Sequence, residues 1–349
     1  MSGGSLSGPG IGVIIPNRND ARYLPRCLRS VFEQDVKPDE VIVVDDRSTD
    51  ESVEVIRSLI ADERSCNLIQ NAVNLGTYGA IDEGIKHSRS EYLLFLAAND
   101  FVLPGIFARA KACLAKSPGV GLWSAMAWLV DEEDRPIRLH PSAVVAARDA
   151  YLSPERCIRL AWRHGNWFTG TTLIYHRGAL EEAGGFDPAY GGLSDLITAL
   201  AVASRHGAAY SPEPFAAIRI HSGSVLSKTL QNPARLEQML DRLRARGVHL
   251  APSLFNEKFC NRTAERFRFA AVRASGGASD LQIAEQTGGG KGAMLTVLHW
   301  LFPGPLASIR IALAFLVLRP YDLLPSLWNR AAGWLLVRAR SRYPKAAAE

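Results

Sequence analysis

The first hundred residues alternate short apolar runs with segments of helical spacing. "IGVIIP" (residues 11–16) is a β-branched run that Pro16 brings to an end. In "YLPRCLRSVFEQ" the apolar residues Leu24, Cys27, Leu28, Val31 and Phe32 recur at helical intervals. "DEVIVVDD" (39–46) is a second apolar strand, and it closes on two acids. "STDESVEVIRSLI" opens with a capping pattern, Ser48 with Glu51 or, shifted by one, Thr49 with Ser52, and continues as a helix. "NLIQNAVN" reads as a third strand and "GTYGAIDEGIKHS" as a helix. "EYLLFLAAND" (91–100) is a fourth strand that stops abruptly at a polar pair. Uninterrupted apolar strands alternating with helices predict an α/β fold, a mostly parallel sheet with helices on both faces.

After Pro104 the order loosens. "GIFARAKACLAKS" is helical, and "VGLWSAMAWLVDEEDRPIR" suggests strands around an acidic turn. "GNWFTGTTLIYHRGALEEAGG" suggests a strand and then a helix, stopped at Gly184 and Gly185. "SDLITALAVASRHG" is a helix that ends at Gly207. From about Lys228 onward the pattern is helical throughout, and no internal repeat is visible. The expected division is a flexible segment 1–10, an α/β domain 11–228, and a basic helical region 229–349.

Charge sharpens that division. Residues 1–227 carry 22 Lys and Arg against 27 Asp and Glu, net −5, whereas residues 228–349 carry 18 against 8, net +10. An acidic globular part joined to a basic part suggests that the second part meets an anionic surface. The rival reading is a solvated basic face. The five cysteines are scattered and form no CxxC pair, which favours reduced thiols and a cytoplasmic setting over a disulfide or zinc framework. The opening "MSGGSLSGPG" has no basic head with an apolar run, so no secretory signal is expected.

A parallel sheet invites a dinucleotide-binding reading, but "NRND" follows the first strand with no glycine near it, and no GxxxxGK[ST] occurs. The strand ends carry acid instead: Asp45 and Asp46 after the second, Asp100 after the fourth. Acids accept hydrogen bonds from a base or ribose, or hold a metal that neutralises a diphosphate.

The ordered pieces "VIIPNRND", "LRSVFEQ", "DEVIVVDDRSTDES", "NLG", "EGI" and "YLLFLAANDFVLPG" resemble the nucleotide-binding half of family 2 glycosyltransferases of the GT-A fold. Such proteins commonly read "IIPTYN", "SLLxQ", "EIIVVDDGSTD", "NxGxxxAxNxG" and "LDxDDxxxP". "GTTLIYHRGALEEAGGFDP", "SDLITALAVASRHG" and "IRIHSGSVLS" resemble the acceptor-side half, so the likeness spans about residues 10–228. It implies that Pro16 and Asn19 line a nucleoside pocket, that Asp45 meets the base with Asp46 beside it, and that Gly76 and Ala80 are small positions near the diphosphate. Gly170 and Thr171 would shape the sugar pocket, with Trp162 and Trp167 flanking it for stacking or for core packing.

Two working motifs depart from the family. "LAAND" aligns with "LDxDD", so the usual metal-binding acids fall on Ala97 and Asn99, and Asp100 alone keeps a carboxylate. Alanine has no donor atom, and asparagine offers one neutral oxygen. The resemblance leaves Asp100 and His221 as the metal ligands for Mn or Mg. Asp195 matches the second residue of the family's "ED" pair, the general base, but Ser194 stands where Glu is usual. The resemblance implies an inverting transfer from a nucleotide-sugar donor, expected to be UDP-linked, to a glycan or lipid-linked acceptor hydroxyl. The alternative is a glycosyltransferase-like protein that binds nucleotide or glycan, or assembles partners, without turnover.

The basic region adds a membrane expectation. "LASIRIALAFLVL" (306–318) is thirteen residues, too short to span a bilayer. "LLPSLWNRAAGWLLVRARSR" sets Leu324, Leu327, Trp328, Ala331 and Leu335 on one face with arginines nearby. That composition suits a helix lying in a membrane interface, with the protein peripheral on the inner face of the cell membrane. An ordinary core helix is the competing reading. No nucleic-acid-binding motif occurs, so nucleic acid is not an expected partner.

Overall fold

A computed structural model describes residues 8–220, 229–274, 280–302, 306–323 and residue 331. His221 and nearly all of the segment 324–342 therefore lie outside the described residues. The N-terminal half has the predicted order: β1 (Ile11–Asn17), α1 (Leu24–Phe32), β2 (Glu40–Asp45), α2 (Ser52–Ile60), β3 (Cys66–Gln70), α3 (Gly76–His87) and β4 (Tyr92–Phe95). These strands pair in parallel in the order β3-β2-β1-β4. Alternate residues of β1 enter different cores. Ile11, Val13 and Ile15 pack with α1 and α2, while Ile14 packs with Ala80 of α3. Gly84 lets α3 lie close, because a Cβ there would come within 2.4 Å of the Ile14 side chain.

The second half comprises β5 (Phe101–Val102), α4 (Ile106–Ala115), β6 (Leu122–Val130), β7 (Pro136–Leu139), β8 (Ala150–Leu152), α5 (Pro154–His164), β9 (Ile174–His176), α6 (Arg177–Glu182), α7 (Ser194–His206) and β10 (Ala208–Arg219). Here the sheet is mixed. Strand β9 inserts antiparallel between β4 and β6, and β6 pairs in parallel with β10. The acidic turn 131–135 joins β6 to β7 as expected.

The capping box expected before α2 does not form. The helix starts at Ser52, whose N–H donates to Asp50, and the Ser48 hydroxyl turns back to Asp45.

Among the described residues five α-helices follow: α8 (Pro233–Leu250), α9 (Glu257–Ala274), α10 (Asp280–Thr287), α11 (Gly289–Leu301) and α12 (Ala307–Leu318). They are not loosely appended. Met239, Leu243, Leu254, Phe255 and Phe259 belong to the same buried cluster as Trp167, Tyr190, Ile197 and Leu200 of the α/β part. A further cluster joins α8–α12 through Leu240, Val272, Ile283, Leu295, Ala314 and Leu318. An ionic hub ties the ends together. Asp322 accepts from Arg262 at 2.9 Å, from Arg266 at 2.8 Å and from Arg319 at 2.9 Å. Arg266 also donates to the carbonyls of Ala161 and Trp162 at the end of α5.

Candidate active site

The parallel strands deliver their carboxyl ends to one edge, where order reverses between β1 and β4, the usual place for a ligand in an open α/β sheet. Asp45, the last residue of β2, is buried. Its Oδ1 accepts from Asn17 Nδ2 at 2.8 Å and from the Ser48 hydroxyl at 2.5 Å, and its Oδ2 accepts from Ser48 N–H at 3.0 Å. Asn17 at the end of β1 thus braces the acid. A carboxylate oxygen with one donor keeps a second lone pair, so Oδ2 can still accept from a base. Asn19 has φ 58° and is exposed. It holds the neighbouring turn through Thr49 N–H, 2.7 Å from its Oδ1. Pro16 is half-buried behind it.

Asp46 serves the loop before α3. It accepts from Asn71 Nδ2 and from the N–H groups of Leu75 and Gly76, at 2.8–2.9 Å. Gly76 (φ +75°) is exposed at the rim with open space where a side chain would go. Ala80 is fully buried against Ile14 and Val44, where its small side chain serves close packing. The tryptophans also pack. Trp167 is buried against Phe168 and edge-on to Tyr210, and Trp162 is edge-on to Phe259.

The "LAAND" turn explains why the strand ends as it does. Ala97 is exposed at the mouth, and Ala98 and Asp100 point inward. Asp100 Oδ2 accepts from the Thr171 hydroxyl and Oδ1 from Arg219 N–H, both at 2.9 Å. Burial pushes its carboxyl up to about 6, although those two donors and the Arg219 charge favour the ionised form. Arg219, the last residue of β10, is buried. Its guanidinium donates to Asn99 O and to Asp134 of the acidic turn, and stacks 4.5 Å from the Tyr23 ring. Sequence reasoning missed Arg219. Its only local signal is a basic residue closing the apolar strand "FAAIR".

Tested against a divalent cation, the described donor set is a poor fit. Ala97 offers no atom, Asn99 offers one neutral amide oxygen, and Asp100 is the sole carboxylate of the turn, each of its oxygens already accepting one hydrogen bond inside the fold. A guanidinium already stands under the turn. Among the described residues no group of three or more His, Cys, Asp or Glu is placed to hold a metal. The second expected ligand, His221, is outside the described residues.

Asp195 sits in the first turn of α7, where a carboxylate gains from the helix dipole. Its side chain is open to solvent, yet the cleft walls crowd it enough to push its carboxyl up to about 6, with the Tyr78 hydroxyl pulling the other way. The single Tyr78 hydroxyl proton is shared between the Asp195 carboxylate and Gly191 O, 2.8 Å from the hydroxyl oxygen. A 3-10 turn, Gly170–Thr172, unites the two acids. Thr171 bonds Asp100, and a Cβ on Gly170 would lie 3.7 Å from Asp195 Oδ2. Asp100 and Asp195 therefore stand on either side of one turn. Ser194, in place of the usual Glu, is fully buried.

A mixed sheet flanked by helices, with acids at its carboxyl edge and a further carboxylate in the first turn of α7, has the architecture of the GT-A fold. Residues 12–122 match the family model described as "Glycosyl transferase family 2", and this part of the chain is a domain of that family. An uncharacterized glycosyltransferase of Nostoc sp. is 31% identical over 182 residues, 51% of this chain and 54% of the relative. A "PGL/p-HBAD biosynthesis glycosyltransferase" of Mycobacterium bovis is 32% identical over 95 residues, 27% of this chain and 37% of the relative. The chain thus spans about half or less of the length of these curated relatives. Among solved structures, S. aureus TarS in complex with UDP superposes with a TM-score of 0.56 at 15% identity, covering 96% of this chain and 93% of that one. The mannosyltransferase PcManGT from Pyrobaculum calidifontis, in complex with GDP-Man and Mn2+, gives 0.54 at 19% identity, covering 91% and 88%. At these identities the likeness speaks for the fold.

Proposed function

We propose that the chain is an inverting glycosyltransferase acting on a nucleotide-sugar donor, with UDP the expected nucleotide. An acceptor hydroxyl gives its proton to an Asp195 oxygen. The freed oxygen forms a bond to the anomeric carbon as that carbon's bond to the diphosphate breaks on the opposite face. The observation that carries this reading is Asp195, a solvent-reaching carboxylate with a raised pKa, next to the turn that also holds Asp100. The donor would lie along the edge formed by Pro16, Asn19, Asp45 and Gly76, with Asn99, Gly170 and Thr171 shaping the sugar end. The nucleotide sugars named with the solved neighbours, UDP-GlcNAc and GDP-Man, support that class of donor. Five free, buried cysteines fit the reducing cytoplasm, where such donors are made. The acceptor class is a glycan or a lipid-linked hydroxyl, in polysaccharide or glycolipid synthesis.

A second reading, a binding module without turnover, is favoured by one specific observation: Ala97 leaves the diphosphate end of the cleft without a metal-binding acid. The two readings separate in one experiment. A panel of UDP- and GDP-sugars is incubated with the full chain and a mixed glycan acceptor, with and without Mn²⁺ or Mg²⁺, and nucleotide release and binding heat are both recorded. Turnover that Asp195→Asn removes while donor binding persists supports the enzyme. Binding without turnover under every condition selects the module.

A further inference from the structure

Among the described residues, the outer faces of α11 and α12 are apolar and exposed. Met294, Val297, Trp300 and Leu301 lie at three- and four-residue intervals along α11, and Trp300 is 71% exposed. Ile309 and Leu316 continue the surface on α12. These are not core residues turned out by accident. Leu295 and Leu298 of α11, with Ala314 and Leu318 of α12, fill the interior side, so the opposite stripe of each helix faces away from the core. Singly exposed apolar side chains are ordinary on a surface, but two adjacent helices with apolar outer faces are not.

Charge decides what would cover this face. Residues 286–321 contain no Asp or Glu at all, and 286–349 carry eight Lys and Arg against two acids. At the far end of α12, Tyr321 borders a cavity of about 440 Å³ also lined by Arg159, Trp162, Arg163 and Arg262. Arg159 and Arg163 are exposed on α5, and Arg262 reaches the cavity while its other side pairs with Asp322. Three guanidiniums and two aromatic side chains line this cavity beyond the end of α12, a composition that suits the headgroup zone of a bilayer beside an apolar face. Phosphates meet arginine, Trp and Tyr sit at headgroup depth, and aliphatic side chains enter the acyl boundary. No helix among the described residues is long and apolar enough to cross a membrane, so the contact would be lateral. A second copy of the chain is a poorer occupant, because a two-fold contact would set this arginine-rich side against itself.

We propose that the outer face of α11 and α12, together with the Arg159–Arg163–Arg262 pocket, is a docking surface for a bilayer of anionic phospholipid. The proposal is independent of the transfer chemistry, and it concerns different residues from the apolar, arginine-bearing segment after residue 323.

The full chain is sedimented with vesicles of phosphatidylcholine alone and of phosphatidylcholine with phosphatidylglycerol. The wild type should bind the anionic vesicles preferentially, and salt should weaken binding. Val297→Glu with Trp300→Glu, both at exposed positions, should lower the bound fraction roughly tenfold or more by placing charge where apolar contact is needed. Arg159→Glu with Arg163→Glu should lower anionic binding and flatten its salt dependence while leaving the weak neutral-vesicle binding in place. Unchanged thermal midpoints separate loss of docking from loss of fold. Inorganic phosphate at equal ionic strength should not release the protein. The proposal is overturned if both variants, still folded, bind like wild type, or if the wild type ignores both vesicles. It is equally overturned if inorganic phosphate alone displaces the protein, or if sedimentation velocity shows a dimer that the Val297/Trp300 variant dissolves.

Discussion

At the scale of single residues the site turns on two carboxyls shifted in the same direction by desolvation, Asp100 inside the fold and Asp195 against the crowded cleft wall. A general base must be ionised to act, so with Asp195 near 6 the proposed transfer should rise with pH through about 6 and then level off. Asp195→Asn should lower kcat by roughly 10²–10⁴-fold with little change in donor affinity. The Tyr78 hydroxyl favours the ionised acid, so Tyr78→Phe should move that acid limb to higher pH. A pH–rate profile checks both, and a limb that stays put in the Tyr78 variant would detach the hydroxyl from the base. The metal question is also local. Because both Asp100 oxygens are bonded inside the fold, calorimetric titration of Mn²⁺ into the nucleotide-free protein should give little heat. Ala97→Asp with Asn99→Asp puts two carboxylates at the mouth and should create measurable binding. Tight binding by the unaltered protein would mean that Asp100 leaves Thr171 and Arg219 to reach a cation.

Elements show which parts of this were legible in the chain. Strands β1 to β4 and helices α1 to α3 follow from local periodicity, because each is decided by neighbours a few residues away. Asp45, Asp100 and Asp195 were readable because an acid at a strand end or in a first helical turn is a local feature. The direction of the Asp100 carboxylate was not. It depends on Thr171 and on Arg219, which lie 71 and 119 residues away. The same is true of β9, whose place between β4 and β6 no local pattern announces, and of the burial of Ala80 against Ile14 and Val44. The Asp322 hub is a long-range feature of this kind. Three arginines hold its carboxyl well below the ordinary range despite burial. Its stabilisation is thus complete above the unfolded pKa, near 4, and fades only as pH drops through the lower folded value. Asp322→Ala leaves Arg266 buried without its carboxylate and should cost about 3–5 kcal/mol. Urea unfolding at pH 7 and pH 5 should return the same penalty, and a penalty under about 1 kcal/mol would make the hub an exposed-type pair.

The whole molecule poses the question of whether the sheet can stand without the basic helices. The composition shift near residue 228 suggests a boundary, but the packing crosses it. Met239, Leu243, Leu254, Phe255 and Phe259 close the cluster that contains Trp167, Tyr190 and Ile197, beside the helix that carries Asp195. Burying a large apolar side chain contributes about 1.5–3 kcal/mol, so losing five removes on the order of 10 kcal/mol as an upper bound. That is comparable with the roughly 5–15 kcal/mol that holds a typical domain folded. A fragment ending at residue 228 should therefore be insoluble or melt without a cooperative transition, and the full chain should lose its α/β core and α8 together. Calorimetry on the full chain, with limited proteolysis followed by mass spectrometry, measures this. If a fragment 1–228 is soluble and unfolds cooperatively near the midpoint of the full chain, the sheet closes its own core. The residues of α8 and α9 would then be a cover over a finished domain, and Asp195 would keep its place without them.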